Sequence, residues 1–330
     1  MKKMHIIGVD VSKNKLDYHC HGHSVTPEPV SNNEKGYRQF QKWIKLKVSK
    51  EKTEVLIVME YTGIYTYNIE RFLENQGWKY VKRPALDIKR SVGMQRGKSD
   101  KADARMISKY GWMNRDILQP MKPVSDKLVE LQQLMAYRDK LVADKASHQA
   151  RLKELKEQMG SKLGDRINQS ASYIMEVLAV EIEEMERTIK ECLATDEVLQ
   201  TNYDLLISIR GIGFVSALAL LIATENFTRF DDHRKFACYC GVAPFTHTSG
   251  TSIRGKTRVS HLANKKIKSL LTLAAFTAIR FDADMKTKYE QKRKEGKPVM
   301  SVINIIRAKL IERIFTVINR QTPYILKAVA

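Results

Sequence analysis

Two short apolar runs, MHIIGVD at residues 4–10 and EVLIVME at residues 54–60, each end on an acid. Continuous apolar stretches of this length read as buried strands. The chain between and after them has to supply the partners of those strands. KLDYHC (residues 15–20) and residues 24–30 read as two further strands, giving an antiparallel meander. Asn32 and Asn33 offer N-caps for a helix running through residue 49, with Tyr37, Phe40, Ile44 and Leu46 on or near one face. A helix is expected over residues 66–76, stopped by Gly77. WKYVKR (residues 78–83) is a fifth strand ended by Pro84, and helical patterns fill residues 85–94 and 100–114. The order strand, strand, strand, helix, strand, helix, strand, helix is the connectivity of an RNase H/RuvC-like fold, a mixed sheet flanked by helices.

In such a sheet the first and fourth strands are neighbours, so Asp10 and Glu60 converge at one edge. Asp100 and Asp103 stand three apart near a helix start, which puts both on one helical face. Four convergent carboxylates repel one another unless cations neutralise them. Hard oxygen donors suit Mg²⁺, and two such ions about 3.5–4 Å apart clamp the attacking and leaving oxygens of a phosphodiester. Taken singly, each acid has a plainer reading: a loop acid at Asp10, an exposed strand end at Glu60, a helix N-cap at Asp100, a solvated turn around KSDKADAR. Their joint placement favours a metal site. The IGVDVSK opening also suits the phosphate loop of actin-like kinases, but the second Gly-rich phosphate loop those need is missing.

Charge narrows the partner. The chain carries 57 Lys and Arg against 37 Asp and Glu, a net of +20. Residues 241–330 alone hold 18 Lys and Arg and 5 Asp and Glu. An excess of this size points to a polyanion, because each cation near a phosphate releases condensed counterions. Cys20, Cys192, Cys238 and Cys240 have no disulfide-framework or zinc spacing, which predicts a reducing cytoplasm. No apolar run is long enough for a membrane span.

Pro120 and Pro123 mark a boundary. From Ser125 to about Gly160, and again from about residue 170 to 194, the pattern is long, charged and helical, as in a helical hairpin or coiled coil that serves as a spacer or an oligomerisation arm. The expected domains are therefore 1–122, 123–200 and 201–330. The last is mostly helical. Its Gly211-Ile212-Gly213 turn between two helices resembles a helix-hairpin-helix, whose following helix N-terminus suits a phosphate. The segment THTSGTSIRG reads as a polar loop, in which Ser249, Thr251 and Ser252 are equal chemical candidates.

IGVDVSK with Asp10, MEYTGIY with Glu60, and KSDKADAR with Asp100 and Asp103 resemble the DEDD signature of the insertion-sequence "one-ten" transposases, to which the Piv-type DNA invertases are related. SIRGIGFVSALALL resembles that family's PGIG segment, with Ile209 and Arg210 standing where a proline is expected. FACYCGVAPFTHTSGTSIRGKTRVSHLANKKIKSLL resembles its second block. The resemblance implies a RuvC-like domain, a coiled-coil arm and a C-terminal transposase domain. It implies Ser249 as nucleophile, with Arg254, Lys256 and Arg258 as phosphate ligands; the basic balance of this region, rather than the resemblance, makes Gly211, Gly213, Lys265 and Lys266 further candidate nucleic-acid contacts. It also implies donor and target duplex DNA as substrates, a noncoding bridge RNA as guide, a homodimer or homotetramer, and a nucleoid-associated place of action. The rival expectation is a RuvC-like junction nuclease in which water attacks and Ser249 is idle.

Overall fold

The computed structural model describes residues 4–93, 99–160, 164–249 and 253–325. They fall into two compact units that divide at Pro123 and Val124.

The first unit is built on β1 (His5–Val11), β2 (Lys15–Cys20), β3 (Val30–Ser31), β4 (Val55–Glu60) and β5 (Lys79–Arg83), in the spatial order β3-β2-β1-β4-β5. β1, β4 and β5 are parallel, and β2 runs antiparallel to β1. This is the mixed sheet expected. Alternate residues explain why the central strands are apolar at almost every position. Ile7, Val9 and Val11 face α1 (Glu34–Lys47) and α2 (Tyr67–Asn75), in a core with Tyr37, Phe40, Ile44, Ile69 and Leu73. Ile6, Leu56, Val58 and Val81 face the other way, onto α3 (Ala85–Val92) and α4 (Asp100–Met113), with Ile88, Met106, Ile107 and Tyr110. Both sheet faces are therefore covered.

Two local expectations change. The strand expected over 24–30 shrinks to Val30–Ser31, because Pro27 and Pro29 cannot donate to a ladder. Its remainder is pinned to α4 instead, by Arg105 Nε donating to Thr26 Oγ1 (2.6 Å) and Lys101 to Glu28 (2.8 Å). Ser99, not Asp100, caps α4, its side chain accepting from Ala102 N–H, and this leaves the Asp100 carboxylate for other work.

The second unit begins with α5 (Asp126–Met159) and α6 (Asp165–Ala194), two long helices that pair antiparallel. Arg138 bridges to Glu186 at 2.7 Å, and Leu128, Leu131 and Met135 share a core with Ile189 and Leu193. α7 (Glu197–Ile207), α8 (Phe214–Ala223), α9 (His233–Tyr239), α10 (Lys265–Phe281), α11 (Ala283–Lys294) and α12 (Val299–Arg320) complete it. Between α9 and α10 the segment expected as a loop forms a β-hairpin, β6 (Pro244–Ser249) against β7 (Ile253–Val259). Its β-branched residues Thr246, Thr248, Ile253, Thr257 and Val259 favour extended backbone over the loop that its polarity suggested. Among the described residues no helix is long and apolar enough to cross a membrane.

Candidate metal centre

The register of the sheet decides where the acids point. Asp10 is the penultimate residue of β1 and has the parity of Ile6 and Gly8, so it faces α4. Val9 pairs with Met59, which puts Glu60 beside Asp10 at the same strand ends and on the same face. Asp17 of β2 lies directly opposite Asp10.

What brings α4 onto this face is the absence of a side chain at Gly8. A Cβ there would stand 2.2 Å from Ser108 N and 2.4 Å from the Ala104 carbonyl. Gly111 lets the side chains of Ile6 and Val58 come up against the α4 backbone, while at Gly8 the contact is with main chain. Backbone thus packs on backbone, and the first turn of α4 arrives at the end of β1. Asp10, Asp100 and Asp103 each present a carboxylate oxygen, and the three oxygens lie within 4.8 Å of one another. Glu60 is not in that set, but its charge acts on Asp10. Burial, followed by the charges of Asp103, Glu60, Asp100 and Asp17, pushes the Asp10 carboxyl up to about 6.

Lys15 and Asp17 also belong to this site, a role that their place on β2 does not announce in the sequence. Lys15 Nζ sits 2.7 Å from Asp100 and 3.1 Å from Asp17, and these hydrogen bonds push its ammonium up to about 12. The signal was present in the alternation of Lys15, Asp17 and His19 on β2. Its meaning depends on a register that becomes visible only once Asp10 is seen opposite Asp17. Next along, His19 Nδ1 lies 3.2 Å from Thr26 Oγ1, and burial and Arg105 hold the imidazole down to about 4, so it is neutral and structural. His21 stacks on Trp112, again a packing role.

Three hard oxygen donors, crowded enough that one resists ionisation, fit a divalent cation. No sulfur or imidazole competes within the set.

The second group of expected site residues lies elsewhere in the chain. Ser249 closes β6, with its backbone paired to Ile253. The side chains of Ser249, Arg254 and Lys256, and residues 250–252 with Thr251 and Ser252, lie outside the described residues. Arg258 is exposed on β7, and Lys265 is exposed at the start of α10. Lys266 pairs with Asp139 of α5. Gly211 has φ +98°, and a Cβ there would meet the Ala274 carbonyl of α10 at 2.5 Å, so that side of the turn is packed. Gly213 is the open one: it is exposed, at the N-terminus of α8, with nothing near its Cβ position.

A family model described as Transposase, of the DEDD type of IS110, matches residues 7–159. A second, described as Transposase IS116/IS110/IS902 family, matches residues 203–290. The chain belongs to the IS110 family of transposases. The first match contains Asp10, Glu60, Asp100 and Asp103, and the second contains Gly211, Gly213 and Ser249. The chain is similar to the pilin gene-inverting proteins of Moraxella bovis and Moraxella lacunata. Each is 26% identical over 324 residues, covering 96% of this chain and 97% of the relative. It also resembles the uncharacterized 43.6 kDa protein of insertion element IS110 in Streptomyces coelicolor, 30% identical over 119 residues, or 36% of this chain and 29% of that one. As an IS110-family transposase, the chain is a DNA-rearranging enzyme.

Proposed function

We propose that this transposase cleaves and rejoins DNA strands at a Mg²⁺-dependent site formed by Asp10, Glu60, Asp100 and Asp103, with Ser249 as the nucleophile. The observation that carries the reading is the convergence of Asp10, Asp100 and Asp103 at the meeting of β1 and α4. Mg²⁺, as one or two ions, would supply Lewis-acid stabilisation of charge on the reacting phosphate oxygens. The Ser249 oxygen forms a bond to phosphorus while the ester bond from phosphorus to a deoxyribose oxygen breaks. The serine proton ends on that leaving oxygen. The phosphoserine linkage conserves the energy of the broken ester, so a deoxyribose hydroxyl can reverse the step on a different strand without an external energy source.

The domain plan follows: 1–122 as the RuvC-like metal domain, 123–200 as a coiled-coil arm and 201–330 as the transposase domain. Rejoining needs paired duplexes, hence a dimer or tetramer. α6 exposes Tyr173, Val177 and Val180, an i, i+4, i+7 apolar stripe suited to a second copy. Arg254, Lys256, Arg258, Lys265 and Gly213 are the proposed contacts to the phosphate backbone, with Gly211 holding the turn that presents Gly213. Lys266 joins them if its pair with Asp139 opens. Donor and target selection is assigned to base pairing with a noncoding bridge RNA, because the sequence carries neither zinc-finger spacing nor a basic-zipper pattern to read bases.

Labelled duplex incubated with protein and Mg²⁺, then resolved on a denaturing gel, tests the chemistry. The expected result is a protein–DNA adduct that maps to Ser249, is absent in Ser249→Ala, and is lost with excess chelator or in Asp10→Asn, Glu60→Gln, Asp100→Asn and Asp103→Asn. Cleavage without an adduct assigns the attack to water and replaces the serine reading with a junction nuclease. Reconstitution from RNase-treated protein tests the guide, since efficient site-specific recombination without RNA overturns it.

A further inference from the structure

The chain leaving β4 next to Glu60 turns large apolar side chains outward: Tyr61 is 54% exposed, Ile64 64%, Tyr65 44% and Tyr67 37%. The backbone beneath them is tied down. Tyr61 N–H donates to the Arg83 carbonyl of β5 (2.9 Å), and buried Thr66 donates through Oγ1 to the Gly63 carbonyl (3.1 Å). The Asn32 side-chain amide donates both to the Ser12 carbonyl (2.8 Å) and to the Tyr65 carbonyl (3.1 Å), and its Oδ1 accepts from Tyr37 (2.5 Å). One side chain thus clamps the tyrosine segment to the loop that follows Asp10. The backbone that carries the rings is held next to the strand end that carries Glu60 and tied to the loop after β1.

Two of the rings also carry cations. Lys82 Nζ lies 5.6 Å from the Tyr61 ring centre, and Arg71 Cζ lies 5.4 Å from that of Tyr67. Lys82 is fixed by Glu70 and Arg71 by Glu74. Exposed aromatic faces interleaved with fixed cations match the chemistry of unpaired nucleobases. Bases inside a duplex have both faces covered by neighbours, so the occupant must be melted or extruded.

We propose that Tyr61, Ile64, Tyr65 and Tyr67 form a stacking platform for unpaired bases of the DNA strand that enters the acidic centre. The choice of DNA as ligand rests on the function proposed above, but the platform does not depend on the serine chemistry.

The full-length chain in metal-free buffer, titrated with single-stranded DNA containing 2-aminopurine, tests the platform without any cleavage. Stacking on the rings quenches the fluorescence. Tyr65→Ala and Tyr67→Ala are each expected to weaken single-strand binding about tenfold and to lose part of the quench. Tyr65→Phe keeps both, and duplex affinity changes less than twofold. Thermal melts check that the variants fold, and the Phe variant separates loss of the ring from loss of structure. Unchanged quenching in both Ala variants overturns the proposal. A parallel titration with single-stranded RNA that alone loses its quench overturns the assignment to DNA. No effect on either nucleic acid, with an altered oligomeric state in sedimentation, makes the patch a protein contact and likewise overturns it. If no adduct forms in the cleavage assay while ring-dependent quenching persists, the serine chemistry fails and the platform stands.

Discussion

Lys15 Nζ lies 2.7 Å from Asp100 Oδ2, so the acidic centre holds one cation of its own. That ammonium offsets repulsion among Asp100, Asp17 and Asp10, and it also engages an oxygen that a divalent ion would take. The pair is half-exposed, and such pairs contribute about 0.2–1 kcal/mol. Lys15→Met is therefore expected to tighten divalent-ion binding by about 1.5- to 5-fold in calorimetry. Weaker binding in Lys15→Met would mean that the lysine's main effect is to hold Asp100 in place.

The proton is the second competitor at this centre. Burial and the surrounding acids raise the Asp10 carboxyl to about 6 from an ordinary value near 4. Its folded-state pKa lies above its unfolded one. The associated stability is therefore fully present below about pH 4 and is lost as pH rises through about 6. Metal-free protein should become less heat-stable across that interval, and Asp10→Asn should remove this part of the pH dependence. A bound cation favours the carboxylate, so saturating Mg²⁺ should close the gap. Metal affinity should fall roughly tenfold per pH unit below about 6, as one proton is displaced per ion bound. Melting curves from pH 4 to pH 8, with and without Mg²⁺, read both effects. A flat difference between wild type and Asp10→Asn would contradict the expected shift.

The strand–acid pairs were legible because a buried parallel strand leaves a plain signature: continuous apolar residues ending where the chain emerges at the sheet edge. The i, i+3 spacing of Asp100 and Asp103 was legible for a similar reason, since both fall in the first turn of α4. Lys15 and Asp17 were not, because their role depends on a cross-strand register that no local pattern encodes. The β6–β7 hairpin is hidden in the sequence because Ser, Thr and Gly give the stretch a loop-like composition, while its β-branched members carry the strand preference. The span from Ser24 to Pro29 shows the reverse error, where two prolines cancel an apparently extended pattern.

Gly8 links the fold to the site most directly. A methyl group at this position would lie inside contact distance of the α4 backbone at Ser108 and Ala104, and backbone cannot rotate away as a side chain can. Gly8→Ala should therefore displace α4 from β1 and cost about 1–3 kcal/mol or more in denaturant titration. Asp100 and Asp103 move with the helix, so divalent-ion binding should weaken beyond what the loss of stability explains. Wild-type metal affinity in a folded Gly8→Ala protein would show that the acids converge without this close packing.

The two glycines of the turn between α7 and α8 should respond differently to the same substitution. Gly211 has φ +98°, a region that disfavours residues with a Cβ, and that Cβ would also meet the Ala274 carbonyl at 2.5 Å. Gly211→Ala combines strain with a backbone clash and should cost about 2 kcal/mol or more. Gly213 has φ −103° and ψ −179°, extended backbone open to any residue, and its Cβ position is empty. As the N-cap of α8 it loses at most about 1 kcal/mol on change to Ala. Its neighbourhood offers the first N–H groups of α8 to a phosphate. Gly213→Ala should then keep the wild-type melting temperature within a few degrees. It should weaken binding to duplex DNA at low salt severalfold if the turn meets the backbone. Gly213→Asp makes the contrast sharper, because an acid caps the helix well but repels the phosphate. Its melting temperature should hold or rise while DNA affinity drops further. Unchanged DNA affinity in Gly213→Asp would remove this turn from the nucleic-acid surface and leave Gly211 and Gly213 as elements of packing alone.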